Sequence, residues 1–234
     1  MKSFLSLALL VGLGLSATAV QAWDTMPSCG ASTFPATGQT NSFPPITKTT
    51  DAPVRDDGVV RAGGALRYQN NGDGTISDLN TGLMWEQKIR DIVTAQGNHD
   101  VTRTFPWDSV ASSIWDWLEQ VNTENGIGLA GFTDWRIPNK KELESIVDAG
   151  TFNPAVDPAF NHGPGIGPCK VDECSLTGTG AAGLYFYWSS TTRAAGTLSA
   201  WAVDFVEGFV SVVPKSNSFF VRAVRGGCMP MPGY

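Results

Sequence analysis

Apolar and polar residues alternate in short runs over most of this chain and fall into helical spacing in only two places. The clearer one follows the stretch GFTDWRIPN at residues 131–139. Pro138 biases Ile137 towards extended backbone, Asn139 can cap a helix, and Glu142 completes a box that satisfies the free N–H groups of the first turn. Leu143, Ile146 and Val147 then form one apolar stripe, and Gly150 stands where a left-handed C-cap would sit. The other helical spacing covers residues 106–123. Pro106 suits the first helical position, Asp108 the positive helix end, and Val110, Ile114, Trp117, Leu118 and Val121 share a face. Trp107 and Trp115 lie partly off that stripe, where they either cover a sheet edge or stay open for stacking; covering is the expectation.

The remaining runs have strand spacing. Residues 66–68 and 75–77 flank Asn70, Asn71, Gly72, Asp73 and Gly74, a turn of residues that accept positive φ, and Asn80, Thr81 and Gly82 turn again into Leu83, Met84 and Trp85. The first turn echoes a calcium loop. With Gly74 on that loop's glycine, however, Gln69 and Asn80 fall where Asp and a bidentate Glu belong, so a hairpin is expected there. Further on, residues 185–189 predict a strand, 201–205 and 209–213 a hairpin through Glu207 and Gly208, and 219–225 a closing strand. In that last strand Val221 and Ala223 face one way, Arg222 and Val224 the other. The pattern predicts an α+β fold with antiparallel sheets. Residues 150–186 interrupt it with Gly, Pro, Asn and Asp, a long irregular loop of the kind that carries function.

The ends read differently. Lys2, the apolar residues 4–15 and the small-residue site Val20, Gln21, Ala22 predict a signal peptide over residues 1–22. Its apolar run is too short for a membrane span, and no other span is expected. Residues 23–57, rich in Ser, Thr and Pro, predict an extended arm, residues 58–228 the domain, and 229–234 a tail. Export places the chain outside the cytoplasm, in the periplasm, on the surface or secreted.

That setting changes the reading of the four cysteines, Cys29, Cys169, Cys174 and Cys228. An even number in an exported chain favours two disulfides, with Cys169–Cys174 and Cys29–Cys228 as one pairing among those open. Zinc is disfavoured, because there is no C-x-x-C and the two histidines, His99 and His162, lack companion spacing. The formal net charge is −6, which argues against nucleic acid as a partner. Lys140, Lys141, Arg222 and Arg225 are expected to be solvated.

Three blocks in order carry a family resemblance: "NNGDGTISDLNTGLMWE", "GFTDWRIPNKKEL" and "YWSST" with "AWAVDF" and "VRAVR". They resemble the C-terminal domain of the Legionella collagen-like adhesin, over roughly residues 66–226. The resemblance implies an extracytoplasmic domain. The family's "TGQT" piece, here Thr37, Gly38, Gln39 and Thr40, implies that part of the arm packs along the domain. The element order also resembles the C-type-lectin-like fold. That fold serves formylglycine-generating enzymes, which work through a reactive cysteine pair, whereas all four cysteines here have a structural use. The adhesin that names the family is associated with sulfated glycosaminoglycans, and the acidity of this chain departs from that.

Little in the chain reads as catalytic machinery. Ser189 and Ser190 follow Trp188 on a strand and not on a nucleophile turn, and Asp134 and Asp204 form a carboxylate pair only if the fold joins them. Asp134 is expected to bond backbone or Arg136. Eight tryptophans favour a binding module for a glycan or protein surface, although Trp85, Trp135, Trp188 and Trp201 are expected to build the core for the most part. The ligand-facing residues are expected in the long loop: Asp157, Asn161, His162, Asp172 and Glu173. No cofactor is required, and calcium is the one ion such carboxylates suggest. A structural subunit of a surface appendage or matrix is the second reading, an enzyme on a lectin-like scaffold the third.

Overall fold

A computed structural model describes residues 34–43, 55–89, 97–109, 112–152, 154–161 and 186–226. All four cysteines fall outside these residues, and both disulfide expectations with them. Part of the arm docks on the domain. Pro35 forms a parallel bridge with Gly64, and Ala149 N donates to Thr37 O at 2.6 Å. Gly38 has a φ of 85°, and a Cβ there would stand 1.9 Å from Asp148 Oδ1, so glycine lets the arm lie against that turn. Asp56 caps α1 (Asp57–Val60) and also accepts from the Ser42 hydroxyl at 2.9 Å.

Three antiparallel strands follow: β1 (Tyr68–Asn70), β2 (Thr75–Asp78) and β3 (Leu83–Glu86). Asn70 Oδ1 accepts from Gly72 N at 2.8 Å and Asp73 Oδ1 from Thr75 N at 3.1 Å, so the turn's polar side chains close the hairpin. The first strand starts later than its spacing suggests because Arg67 N is taken by Asn80 Oδ1 at 2.9 Å. The ladder opens with Tyr68 opposite Asp78.

The helix expected from Pro106 does not start there. Residues 105–106 are β4 (Phe105–Pro106), paired with residues 218–219, and Trp107 N and Asp108 N both donate to Lys215 O, at 3.0 and 3.4 Å. The helix, α2 (Ile114–Thr123), waits for Ser113, whose hydroxyl accepts from Trp115 N and Asp116 N while Asp116 Oδ2 accepts from Ser113 N at 2.7 Å. Ile114, Trp117 and Val121 face the core, as their spacing predicts. A run of left-handed residues, with φ from 51° to 80° at Asn125, Gly126, Gly128, Ala130 and Gly131, then turns the chain back towards Trp135. At Gly128 an added Cβ would meet Phe132 O at 2.0 Å.

α3 (Lys140–Glu144) carries the predicted box: Asn139 Oδ1 accepts from Lys141 N and Glu142 N, and Glu142 Oε2 from Asn139 N. Leu143 and Ile146 are fully buried. The helix is shorter than expected, however. Ser145 ends it in right-handed geometry, and the Gly150 amide bonds Asp148 Oδ1 at 2.8 Å instead of closing a helix.

β5 (Phe186–Thr192), β6 (Ser199–Asp204) and β7 (Val210–Pro214) form a second antiparallel sheet. The closing strand divides into β8 (Ser218–Phe219), which pairs with β4, and β9 (Val224–Gly226), which completes the order β1-β2-β3-β9. Between them Phe220 bonds the backbone of Phe186 and Trp188, so residues 219–224 run between two cores. Phe219, Val221 and Ala223 belong to one, with Trp117, Trp135 and Trp188; Phe220 and Val224 belong to the other, with Trp85, Leu143 and Phe160. The predicted alternation holds. The described residues form an α+β fold of short helices and antiparallel sheets.

Candidate functional site

Of the five residues expected to face a ligand, two are described. Asp157 is half-buried; its Oδ1 accepts from Ala159 N at 2.8 Å and starts the 3-10 turn over Pro158–Asn161 that plants Phe160 in the core. Asn161 ends the same turn. His162, Asp172 and Glu173 lie outside the described residues. Asp157 also bears on Asp148, whose carboxyl is pushed up by burial and by that neighbouring charge. Among the described residues no group of three or more His, Cys, Asp or Glu could hold a metal ion, and Asp157 already caps a turn.

The side chains weighed for catalysis hold the fold together. Asp134 takes Arg225 Nε at 2.7 Å and Nη2 at 3.2 Å, where the backbone or Arg136 was the expectation. Arg136 instead makes a bidentate pair with Glu142, both contacts 2.7 Å, so one carboxylate caps α3 and anchors the incoming chain. Asp204 Oδ1 accepts from Val206 N and Glu207 N in the turn to β7. Ser189 Oγ donates across the sheet to Trp201 O at 2.7 Å, and Ser190 Oγ to Pro138 O at 3.3 Å.

A buried cluster of charge was not visible in the pattern. Glu86 is fully buried at the end of β3, where Oε1 meets Lys88 Nζ at 2.7 Å and His99 Nδ1 at 2.7 Å, and Oε2 accepts from Ala223 N at 2.9 Å. His99 Nε2 lies 2.8 Å from Glu124 Oε2, at the end of α2. Arg222 is also fully buried, contrary to the expectation of a solvated arginine; its Nη1 donates to Glu86 O, and its guanidinium lies 5.3 Å from the Phe160 ring centre. Lys88 Nζ sits 4.5 Å over the Trp117 ring. Burial pushes the Glu86 carboxyl up, but Lys88 and His99 outweigh it and hold it down to about 2. Burial lowers both Lys88 and Arg222. Arg225 is no free surface charge either, since it also stacks 3.7 Å from the Phe132 ring.

The tryptophans divide. Trp85, Trp117, Trp135 and Trp188 are buried, while Trp201 is half-buried with Lys140 Nζ 5.2 Å over its ring. Trp107 covers the edge of β5, its Nε1 donating to Ser189 O at 2.9 Å, with Lys215 Nζ 3.6 Å over its ring. Trp115 meets Trp107 edge to face at 5.0 Å and is 40% exposed. The nearby Leu198, whose carbonyl takes Lys215 N, is 84% exposed. Two indoles and an ammonium thus share one surface.

Two comparisons bear on what this arrangement belongs to. A family model described as the Lcl C-terminal domain matches residues 74–225, from the glycine of the first hairpin to the arginine that holds Asp134. No curated protein matches the chain.

Proposed function

The chain belongs to the Lcl C-terminal domain family, and on that premise we propose that it is a non-catalytic binding module of C-type-lectin-like fold that recognises a glycan or protein surface. The observation that carries this is the Trp107–Trp115–Lys215 surface: Trp107 is fixed by its indole hydrogen bond, and Trp115, edge to face with it, leaves part of its indole open to solvent. Aromatic faces ringed by polar groups suit sugar rings and protein hot spots alike. The ionisable groups that an enzyme could use, Glu86, His99, Asp134 and Asp204, support the same reading because each is held by structural partners. Asp157 and Asn161 are assigned a second, loop-borne part of the ligand surface. No helix among the described residues is long and apolar enough to cross a membrane, and the proposed setting is outside the cytoplasm.

Binding to glycan and protein arrays before and after Trp115→Ala tests the proposal. Trp115 lies off the buried face of α2, so the variant is expected to keep its stability within about 1 kcal/mol. Its affinity for any ligand found should fall at least about tenfold. A stable variant that binds as the parent does would place the ligand elsewhere and remove the observation on which the reading stands. A docked arm, through Pro35, Thr37 and Gly38, already has its partner within the chain, which weighs against a subunit that donates its arm to a neighbour.

A further inference from the structure

We propose that His99 is a proton-operated clasp: its doubly protonated ring ties β3 to the end of α2, and loss of one proton frees the Glu124 side. The geometry is specific. Nδ1 faces Glu86 Oε1 at 2.7 Å and Nε2 faces Glu124 Oε2 at 2.8 Å. A carboxylate only accepts, and a neutral imidazole has one donor and one acceptor nitrogen. In either neutral tautomer a ring lone pair would therefore point at a carboxylate oxygen, so only the imidazolium satisfies both contacts.

The groups around the ring decide which contact gives way. Lys88 Nζ shares Glu86 Oε1, and Ala223 N holds Oε2, so Glu86 stays ionised and keeps the ring's Nδ1–H after the charge is lost. Arg222, from the stretch between β8 and β9, meets the Glu86 carbonyl, and Arg103 and Asp100 stand on the segment that carries His99. Among the described residues Glu124 meets no second cation; its side chain is 29% exposed and can turn out to water. Beside it, Asn125 and Gly126 have φ of 51° and 76°, a break in the helix where the end can swing. Burial of the ring disfavours its charge, as does the nearby Lys88 ammonium, but the hydrogen bond to Glu86, that carboxylate's charge and the hydrogen bond to Glu124 outweigh them and hold the proton above the ordinary histidine value of 6.5. The sign follows: the clasp contributes fully below about 6.5, the unfolded value, and is lost as pH rises through the folded one.

The test is long-range proton–nitrogen NMR on His162→Asn protein, which leaves His99 as the one histidine. Both ring nitrogens are expected to be protonated at pH 7, with Nε2 losing its proton first as pH rises. Amide exchange over residues 120–126 should accelerate above the same midpoint, and Glu124→Gln should move that midpoint down by about one pH unit, a tenfold loss of proton affinity. A neutral His99 ring at pH 7, or a midpoint that Glu124→Gln leaves in place, would overturn the clasp.

Discussion

Replacing Glu86 with Gln is expected to cost the domain about 3–5 kcal/mol, because it leaves a buried Lys88 without its counter-charge. The amide keeps the shape of the carboxyl, so packing beside the Ala223 backbone changes little and the loss is electrostatic. Against a typical stability of about 5–15 kcal/mol this is a large fraction. The pH dependence identifies the cause. Glu86 is held down to about 2 from an ordinary 4.5, so its contribution is present above 4.5 and lost as pH falls through about 2. Urea unfolding across that range should show a steeper acid limb in the parent than in Glu86→Gln, which keeps only the share from other lowered carboxylates such as Glu144. Equal slopes would mean that Glu86 is not the group being protonated.

Trp135→Ala is expected to cost about 3–5 kcal/mol as well, by a different route. The indole lies in the core beside Leu129, Val121 and Ile137, and its Nε1 donates to Leu129 O at 3.0 Å. Asn122 fixes its backbone from both sides, accepting from Trp135 N and donating to Trp135 O, each at 2.9 Å. Truncation leaves a cavity and removes one of the two hydrogen bonds to Leu129 O, which keeps its bond from Phe132 N at 3.1 Å. Trp135→Phe fills most of that space and loses only the hydrogen bond, so it should cost about 1–2 kcal/mol. Thermal and urea unfolding of both variants check the order. A Trp135→Ala protein that melts with the parent would put this side chain outside the core.

These residues also show how far the sequence could be read. The box of Asn139 and Glu142, the burial of Leu143 and Ile146 and the alternation through residues 219–224 are local rules, and local rules survived. The start of α2 was misread because Pro106 suits a helix start and a strand equally. What decided was a distant partner, the pairing of Phe105 and Pro106 with Phe219 and Ser218, and Ser113 with Asp116 was the capping signal available further on. The buried charge was missed for a related reason. Glu86, Gln87 and Lys88 are all buried, so no period marks them, and charged residues read as surface until their partners are in place. Arg222 was the available clue, since its alternation already set it on the side of Val224. The loop assignment rests on position alone, and only Asp157 and Asn161 of it are placed.

The central claim is that this domain binds through aromatic and hydrogen-bonding contacts and not through charge. A salt titration of binding to heparin and to neutral oligosaccharides tests it most directly. With a formal net charge of −6, with Lys140, Lys141, Arg136 and Arg225 paired and Arg222 buried, the acidic balance opposes a polyanion and leaves exposed arginines such as Arg55, Arg61, Arg67 and Arg193 as the cations that could displace counterions. The account predicts weak heparin binding and an affinity for a neutral ligand that changes little between low and high salt. Tight heparin binding that collapses steeply as salt rises would contradict it.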